Sequence, residues 1–221
     1  MTTTFDCADT AEVLTGLRMA RGAIGRGKLV VIPTDTVYGI AADAFNAKAV
    51  AGLLDAKGRG RQSPPPVLIG GPETLAALAE TVTPQMTALA EAFWPGGLTI
   101  VVPARSTLTW DLGETNGTVA VRMPANSIAL ELLTETGPLA VSSANRTGEP
   151  AALTAAEAFG QLGESVEVYL DGGIASDARS GSTIVDCTPT TTGQPVRILR
   201  DGVITRDAIR AVVGKIAEDD A

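Results

Sequence analysis

Four short polar segments of this 221-residue chain combine residue types suited to holding an anion. Pro33-Thr34-Asp35-Thr36-Val37-Tyr38-Gly39 puts two threonine hydroxyls and a carboxylate on one turn-rich run, where Asp35 alone would serve local backbone bonds. Lys57-Gly58-Arg59-Gly60-Arg61-Gln62-Ser63 places three cations within five positions, with no acid between Asp55 and Glu73. Arginine gives forked hydrogen bonds and lysine a point charge, so this run suits a polyphosphate. Its two glycines would let the backbone approach a ligand closely. Thr118-Val119-Ala120-Val121-Arg122 reads as a strand whose Thr118, Ala120 and Arg122 share a face. Arg122 there needs a partner, either a carboxylate ligand or a structural aspartate. Ser142-Ser143-Ala144-Asn145-Arg146-Thr147-Gly148 offers hydroxyls and an amide to a phosphate or ribose, or else caps a helix. Neither a Walker A loop nor a Rossmann G-x-G-x-x-G occurs. There is no histidine, which excludes Ser-His-Asp and Cys-His triads and histidine-based zinc sites.

Alternating elements must position these segments. Asp9 with Glu12 resembles a capping box for a helix carrying Val13, Leu14, Leu17 and Ile24. Leu29–Ile32 is a buried strand leading into the first polar loop, and Asn46 caps a helix ending at Lys57-Gly58. Strands are expected over 67–69, 98–102, 118–123, 138–142, 166–170, 183–185 and 196–199. Helices are expected over 73–80, 84–93, 126–135, from Thr154 to Leu162, and from Thr205 onward. The tail Glu218–Ala221 is acidic and expected to fray. The pattern predicts a single α/β domain over residues 1–221, an open twisted mixed sheet flanked by helices. Polar loops at strand ends are where such sheets bind ligands.

Composition narrows the class. Hydrophobic residues make up 45% and charged residues 19%, enough for a sizeable core. A net charge of −8 argues against a general nucleic-acid coat and leaves room for a local basic site. Two cysteines, Cys7 and Cys187, fit free thiols in a reducing compartment. With no secretory signal and no apolar run near the roughly 20 residues of a bilayer span, the expectation is a cytoplasmic protein away from membranes.

In order, PTDTVYG, KGR, FWPGGLTIVV, VAVRMP, PLAVSSANRTG, DGG with GSTIVD, and ILRDG resemble the Sua5/YrdC/YciO family from about Lys28 to Val203. The resemblance implies a YrdC-like fold with a large concave pocket, in the short, single-domain type. It implies L-threonylcarbamoyladenylate synthase activity, a nucleotidyl transfer that turns ATP, L-threonine and bicarbonate or CO2 into threonylcarbamoyl-AMP and pyrophosphate. The product feeds N6-threonylcarbamoylation of adenosine 37 in tRNA through downstream transferase proteins. By the same resemblance Lys57, Arg59, Ser63, Thr118, Ser143, Asn145 and Arg200 contact ATP, with Lys57 and Arg59 catalytic. Thr36, Arg122 and Ser182 contact L-threonine. Mg2+ is expected with ATP, its ligands unassigned, and Asp35 and Asp186 are the candidates for metal or proton work. Leu68 stands where many members have histidine. The Gly58–Pro66 run is a candidate lid. The competing readings are an RNA-binding accessory protein and a YciO-type paralogue with little synthase activity. A carbamoyl-transfer relative of the hydrogenase-maturation kind is disfavoured, because no acylphosphatase-like or zinc-finger segment occurs.

Overall fold

The computed structural model describes residues 2–175 and 180–217. Ten strands form one sheet: β1 (Thr3–Asp6), β2 (Val30–Ile32), β3 (Gly39–Asp43), β4 (Val67–Leu68), β5 (Leu98–Pro103), β6 (Thr118–Arg122), β7 (Leu139–Ser143), β8 (Val168–Asp171), β9 (Thr183–Asp186) and β10 (Arg197–Arg200). Their spatial order is β1-β8-β2-β3-β7-β4-β6-β5-β9-β10. Pairing is parallel for β1/β8, β8/β2, β4/β6 and β5/β9, and antiparallel elsewhere, so the sheet is mixed and open at both edges.

Seven helices flank it: α1 (Thr10–Gly25), α2 (Ala47–Lys57), α3 (Thr74–Leu78), α4 (Pro84–Phe93), α5 (Ser127–Thr136), α6 (Ala155–Leu162) and α7 (Arg206–Val213). Side-chain caps set most of their starts. Asp9, Asn46 and Thr205 accept first-turn backbone N–H groups as expected, and Asn126 and Thr154 do the same. The Asp9 box does not close, because the Glu12 carboxylate accepts from Asp6 N instead. Leu14, expected on the apolar face of α1, is 61% exposed. The acidic tail lies outside the described residues.

The two halves of the sheet differ, and that difference makes the site. At β2, Val30 and Ile32 pack with α1 and α5, while Val31 packs with α2 and α6. Both faces are covered, so the sequence there is continuously apolar. From β6 across to β10 one face carries the helices. Leu98, Ile100 and Val102 of β5, Val119 and Val121 of β6, Val185 of β9 and Ile198 of β10 join α3, α4 and α7 in one core. The alternate residues, Thr99 and Val101, Ala120 and Arg122, Ile184, and Leu199, line a cavity of about 520 Å³. The alternation in LTIVV and TVAVR therefore records a sheet with helices on one side and a ligand-sized concavity on the other. A register shift between Ile198 and Arg200 aims two successive residues of β10, Leu199 and Arg200, at that concavity.

Candidate active site

Seven of the ten residues expected to bind substrates line this one cavity: Thr36, Arg59, Arg122, Ser143, Asn145, Ser182 and Arg200. Lys57, Ser63 and Thr118 are not among its lining residues. The Thr118 hydroxyl turns back to donate to Thr115 O (2.8 Å), and Ser63 N donates to Gly60 O.

Arg122 anchors one end. It is 6% exposed at the end of β6. Its Nη2 donates to Asp35 Oδ1 (2.7 Å), Nη1 to Thr36 Oγ1 (3.0 Å) and Nε to Gly96 O (2.9 Å). The structural aspartate is therefore present, and it is Asp35, which also accepts from Ala125 N (2.9 Å). Three of the five guanidinium N–H groups are committed, and one on each Nη remains for a ligand carboxylate. Gly96 belongs to the Phe93–Gly97 segment, and its carbonyl helps to orient Arg122 with Asp35 and Thr36. At neighbouring Gly97 a Cβ would lie 2.1 Å from Val203 Cγ2, so the turn needs glycine.

Arg59 anchors the other end. Gly58, at φ +63°, ends α2 in the left-handed conformation, and Arg59 N closes back on Leu54 O. Gly58 thus stops the helix at the expected Lys57-Gly58 boundary, and the chain turns there into Arg59. Arg59 Nη1 donates to Ser142 Oγ (3.1 Å). Arg61 points away, in a two-point ion pair with Asp111, and its carbonyl accepts from Glu114 N. The expected lid is thereby tied to the 105–117 segment.

Lys57 has a different place from the one expected. At 3% exposure its ammonium donates to the carbonyls of Ser143 and Asn145 (2.7 Å to the latter). It holds the loop after β7, and Asn145 presents its side chain from that loop. Burial, and then repulsion from Arg59, push the Lys57 pKa down to about 8. An unfolded lysine near 10.5 keeps its proton through this interval, so the unfolded chain binds more protons between about pH 8 and 10.5 and stability contributed here rises with pH. Urea unfolding at pH 7.5, 8.5 and 9.5 should show the wild type gaining on Lys57→Met over that interval. Comparison with the variant cancels the opposite drift from the buried thiols, whose pKa values are raised.

At a third corner the expected Ser182 and Arg200 meet a residue that was not legible in advance, Thr99. Thr99 Oγ1 and Ser182 Oγ lie 2.7 Å apart, both buried, and Arg200 Nη2 donates to Ser182 Oγ (3.0 Å) and Ser182 O (2.7 Å). Thr99 went unnoticed because a threonine alternating with Leu98 and Ile100 looks like an ordinary strand residue.

These corners give the cavity one sign. Burial lowers the pKa of Arg59, Arg200 and Arg122. Arg59 also repels Arg200; Asp35 partly offsets the effect at Arg122, and Arg200 adds repulsion there. Among the described residues Glu149 is the one acid in the lining. Three guanidinium groups, Arg122 buried, Arg59 half-buried and Arg200 exposed, line one void and form a polyanion site.

The profile of the Sua5_yciO_yrdC family, described as "Telomere recombination", matches residues 22–202. The chain belongs to the Sua5/YciO/YrdC family. A Mycobacterium tuberculosis protein provisionally named a threonylcarbamoyl-AMP synthase is 50% identical over 214 residues, covering 97% of this chain and 96% of that one. The threonylcarbamoyl-AMP synthase of Pyrococcus abyssi is 37% identical, over 90% of this chain and 58% of its own. P. abyssi Sua5, solved in complex with L-threonine, superposes with a TM-score of 0.86 at 35% identity, over 98% of this chain and 62% of that one. This chain thus spans about three fifths of the Pyrococcus protein and nearly all of the mycobacterial one.

Within this Sua5/YciO/YrdC chain the two candidate carboxylates part company. Asp35 meets the cavity through Arg122. Asp186 does not; its Oδ2 pairs with Arg197 (2.6 Å) and its Oδ1 accepts from Thr188 N and Oγ1. Both its oxygens are used structurally, which corrects its candidacy for metal or proton work. Among the described residues both cysteines are free thiols, and no helix is long and apolar enough to cross a membrane.

Proposed function

We propose that this protein is an L-threonylcarbamoyladenylate synthase: ATP, L-threonine and bicarbonate give threonylcarbamoyl-AMP, pyrophosphate and water. The observation that carries this reading is one cavity with a carboxylate-accepting arginine, Arg122, at one end and phosphate-suited Arg59 and Asn145 at the other. Threonine lies with its carboxylate on Arg122 and Thr36. Its neutral amine attacks bicarbonate, the amine proton leaves with the departing hydroxyl as water, and the carbamate remains. A carbamate oxygen then attacks the α-phosphorus as the Pα–O bond to pyrophosphate breaks. Neither step needs a nucleophilic side chain or a histidine. Orientation and charge neutralisation supply the acceleration, and Arg59 and Arg200 meet the charge growing on the phosphate oxygens. Lys57 acts through the loop that it holds.

Mg2+ fits as a companion of the triphosphate, neutralising phosphate charge when bound. It takes most of its oxygens from phosphates and water and needs few from protein. Asn145 supplies the fitting atom. Its amide nitrogen donates to Arg146 O and Glu149 O, which leaves a buried Oδ1 with no partner among the described residues. An orphaned buried acceptor costs about 1–3 kcal/mol and is explained by a ligand donor or cation. The product would pass to tRNA threonylcarbamoyl-transferase proteins, in a cytoplasmic setting that suits two free thiols. The RNA-binding reading is weaker, because Arg59, Arg122 and Arg200 line one ligand-sized concavity and Arg61 is spent on Asp111.

Pyrophosphate release from ATP should require L-threonine and bicarbonate together. Release that is unchanged on omitting either one overturns the assignment.

A further inference from the structure

Two substrates account for two ends of the cavity; the third has no assigned place. We propose that Thr99, with Ser182 and Arg200, forms the subsite for the bicarbonate or carbamate oxyanion, so that Thr99 is a substrate-binding residue of the synthase. The inference rests on the synthase reading above.

The hydrogen count at this corner points to an anion. Ser182 Oγ accepts from Arg200 Nη2 (3.0 Å) and shares a hydrogen bond with Thr99 Oγ1 (2.7 Å). Two hydroxyls carry two hydrogens, and their mutual bond consumes one. Whichever donates, one hydroxyl hydrogen is left over, and both side chains face the cavity. Arg200 commits Nε and Nη2 to Ser182, which leaves both hydrogens of Nη1 without a protein partner among the described residues. Thr99 is 1% exposed and Ser182 6%. A buried hydroxyl hydrogen beside an open guanidinium edge, with no carboxylate bonded to either among the described residues, is built to meet negatively charged oxygen.

Position narrows the class of oxyanion. Thr99 on β5 neighbours the Arg122 strand β6, and Thr99, Ser182 and Arg200 line the same cavity as Arg59. The corner therefore adjoins the carboxylate end and opens onto the void that holds the phosphate end. In the reaction, only the CO2-derived group bonds to both the threonine nitrogen and the α-phosphorus. The group that joins the two ends belongs at the corner that faces both.

The test is steady-state pyrophosphate release in degassed, CO2-depleted buffer, with bicarbonate, threonine and ATP each varied in wild type, Thr99→Val, Thr99→Ser and Thr99→Val/Ser182→Ala. The double variant removes the hydrogen outright. It should raise the bicarbonate KM roughly tenfold or more, as expected for a lost hydrogen bond to a charged group, with the ATP KM within twofold. Thr99→Val leaves the Ser182 hydrogen but not the acceptor that steers it, and should raise the bicarbonate KM by a few-fold with the threonine KM within twofold. Thr99→Ser should restore the wild-type value. A raised threonine KM with an unchanged bicarbonate KM in Thr99→Val overturns the assignment, as does a Thr99→Ser enzyme as impaired as the valine variant, which marks a packing role. Wild type lacking any bicarbonate dependence would instead sink the synthase reading itself.

Discussion

Replacing Arg122 with alanine is expected to abolish saturation by L-threonine and to destabilise the fold by about 3 kcal/mol, while ATP binding stays within a few-fold. The two effects share one cause. Arg122 is held by Asp35, Thr36 and Gly96 O, and it lines the cavity with two N–H groups uncommitted among the described residues. Alanine removes the threonine carboxylate's partner and also strands Asp35. Breaking a buried pair by deleting one member costs roughly 3–5 kcal/mol. The Asp35 side chain is 21% exposed and keeps Ala125 N, which places the cost at the low end. Arg122→Lys preserves charge but loses the fork, so it should recover more stability than threonine affinity. Calorimetric titration with each substrate and a urea midpoint separate the outcomes. Threonine affinity that survives the alanine variant would remove Arg122 from the substrate site.

How much of this could be read in the chain depended on the kind of signal. Helix starts were legible because Asn46, Asn126, Thr154 and Thr205 act locally, within one turn. Strand β3 was not. Gly39-Ile40-Ala41-Ala42-Asp43 has little β propensity and sits in mid-sheet because β2 and β7 flank it. Its smallness is functional: a Cβ on Gly39 would lie 2.6 Å from Val141 Cγ1, at the cavity wall. β1 escaped notice because Thr3–Asp6 is short and mostly exposed, and gains its place only by pairing with β8.

The site shows the same division. Residue types announced the arginines, yet the partners that decide their roles are far off in sequence. Lys57 and Arg59 sit two residues apart and looked equivalent. The helix terminus between them turns one toward backbone carbonyls and the other toward the cavity. Thr99 carried no signal of its own, because its meaning depends on Ser182, which lies 83 positions away.

Arg59→Ala should give the mirror image of the Arg122 variant: a loss of roughly 30- to 1000-fold in kcat/KM for ATP, a threonine KM within a few-fold, and no loss of stability. The kinetic figure corresponds to about 2–4 kcal/mol, the range for a donor aimed at developing oxyanion charge. Among the described residues Arg59 makes one side-chain hydrogen bond, to Ser142 Oγ, so its four other N–H groups are there for a ligand. Its presence is electrostatically unfavourable to the empty fold. It is partly desolvated without an acidic partner, it lowers the Lys57 pKa, and it repels Arg200. A structural arginine removed from a core destabilises; this one, removed from a cluster of like charges, should leave the urea midpoint unchanged or raised. The Lys57 pKa should climb from about 8, which moves the rise of stability with pH to higher pH. Loss of stability together with unchanged ATP kinetics would show instead that Arg59 is held for the fold and that the triphosphate lies elsewhere.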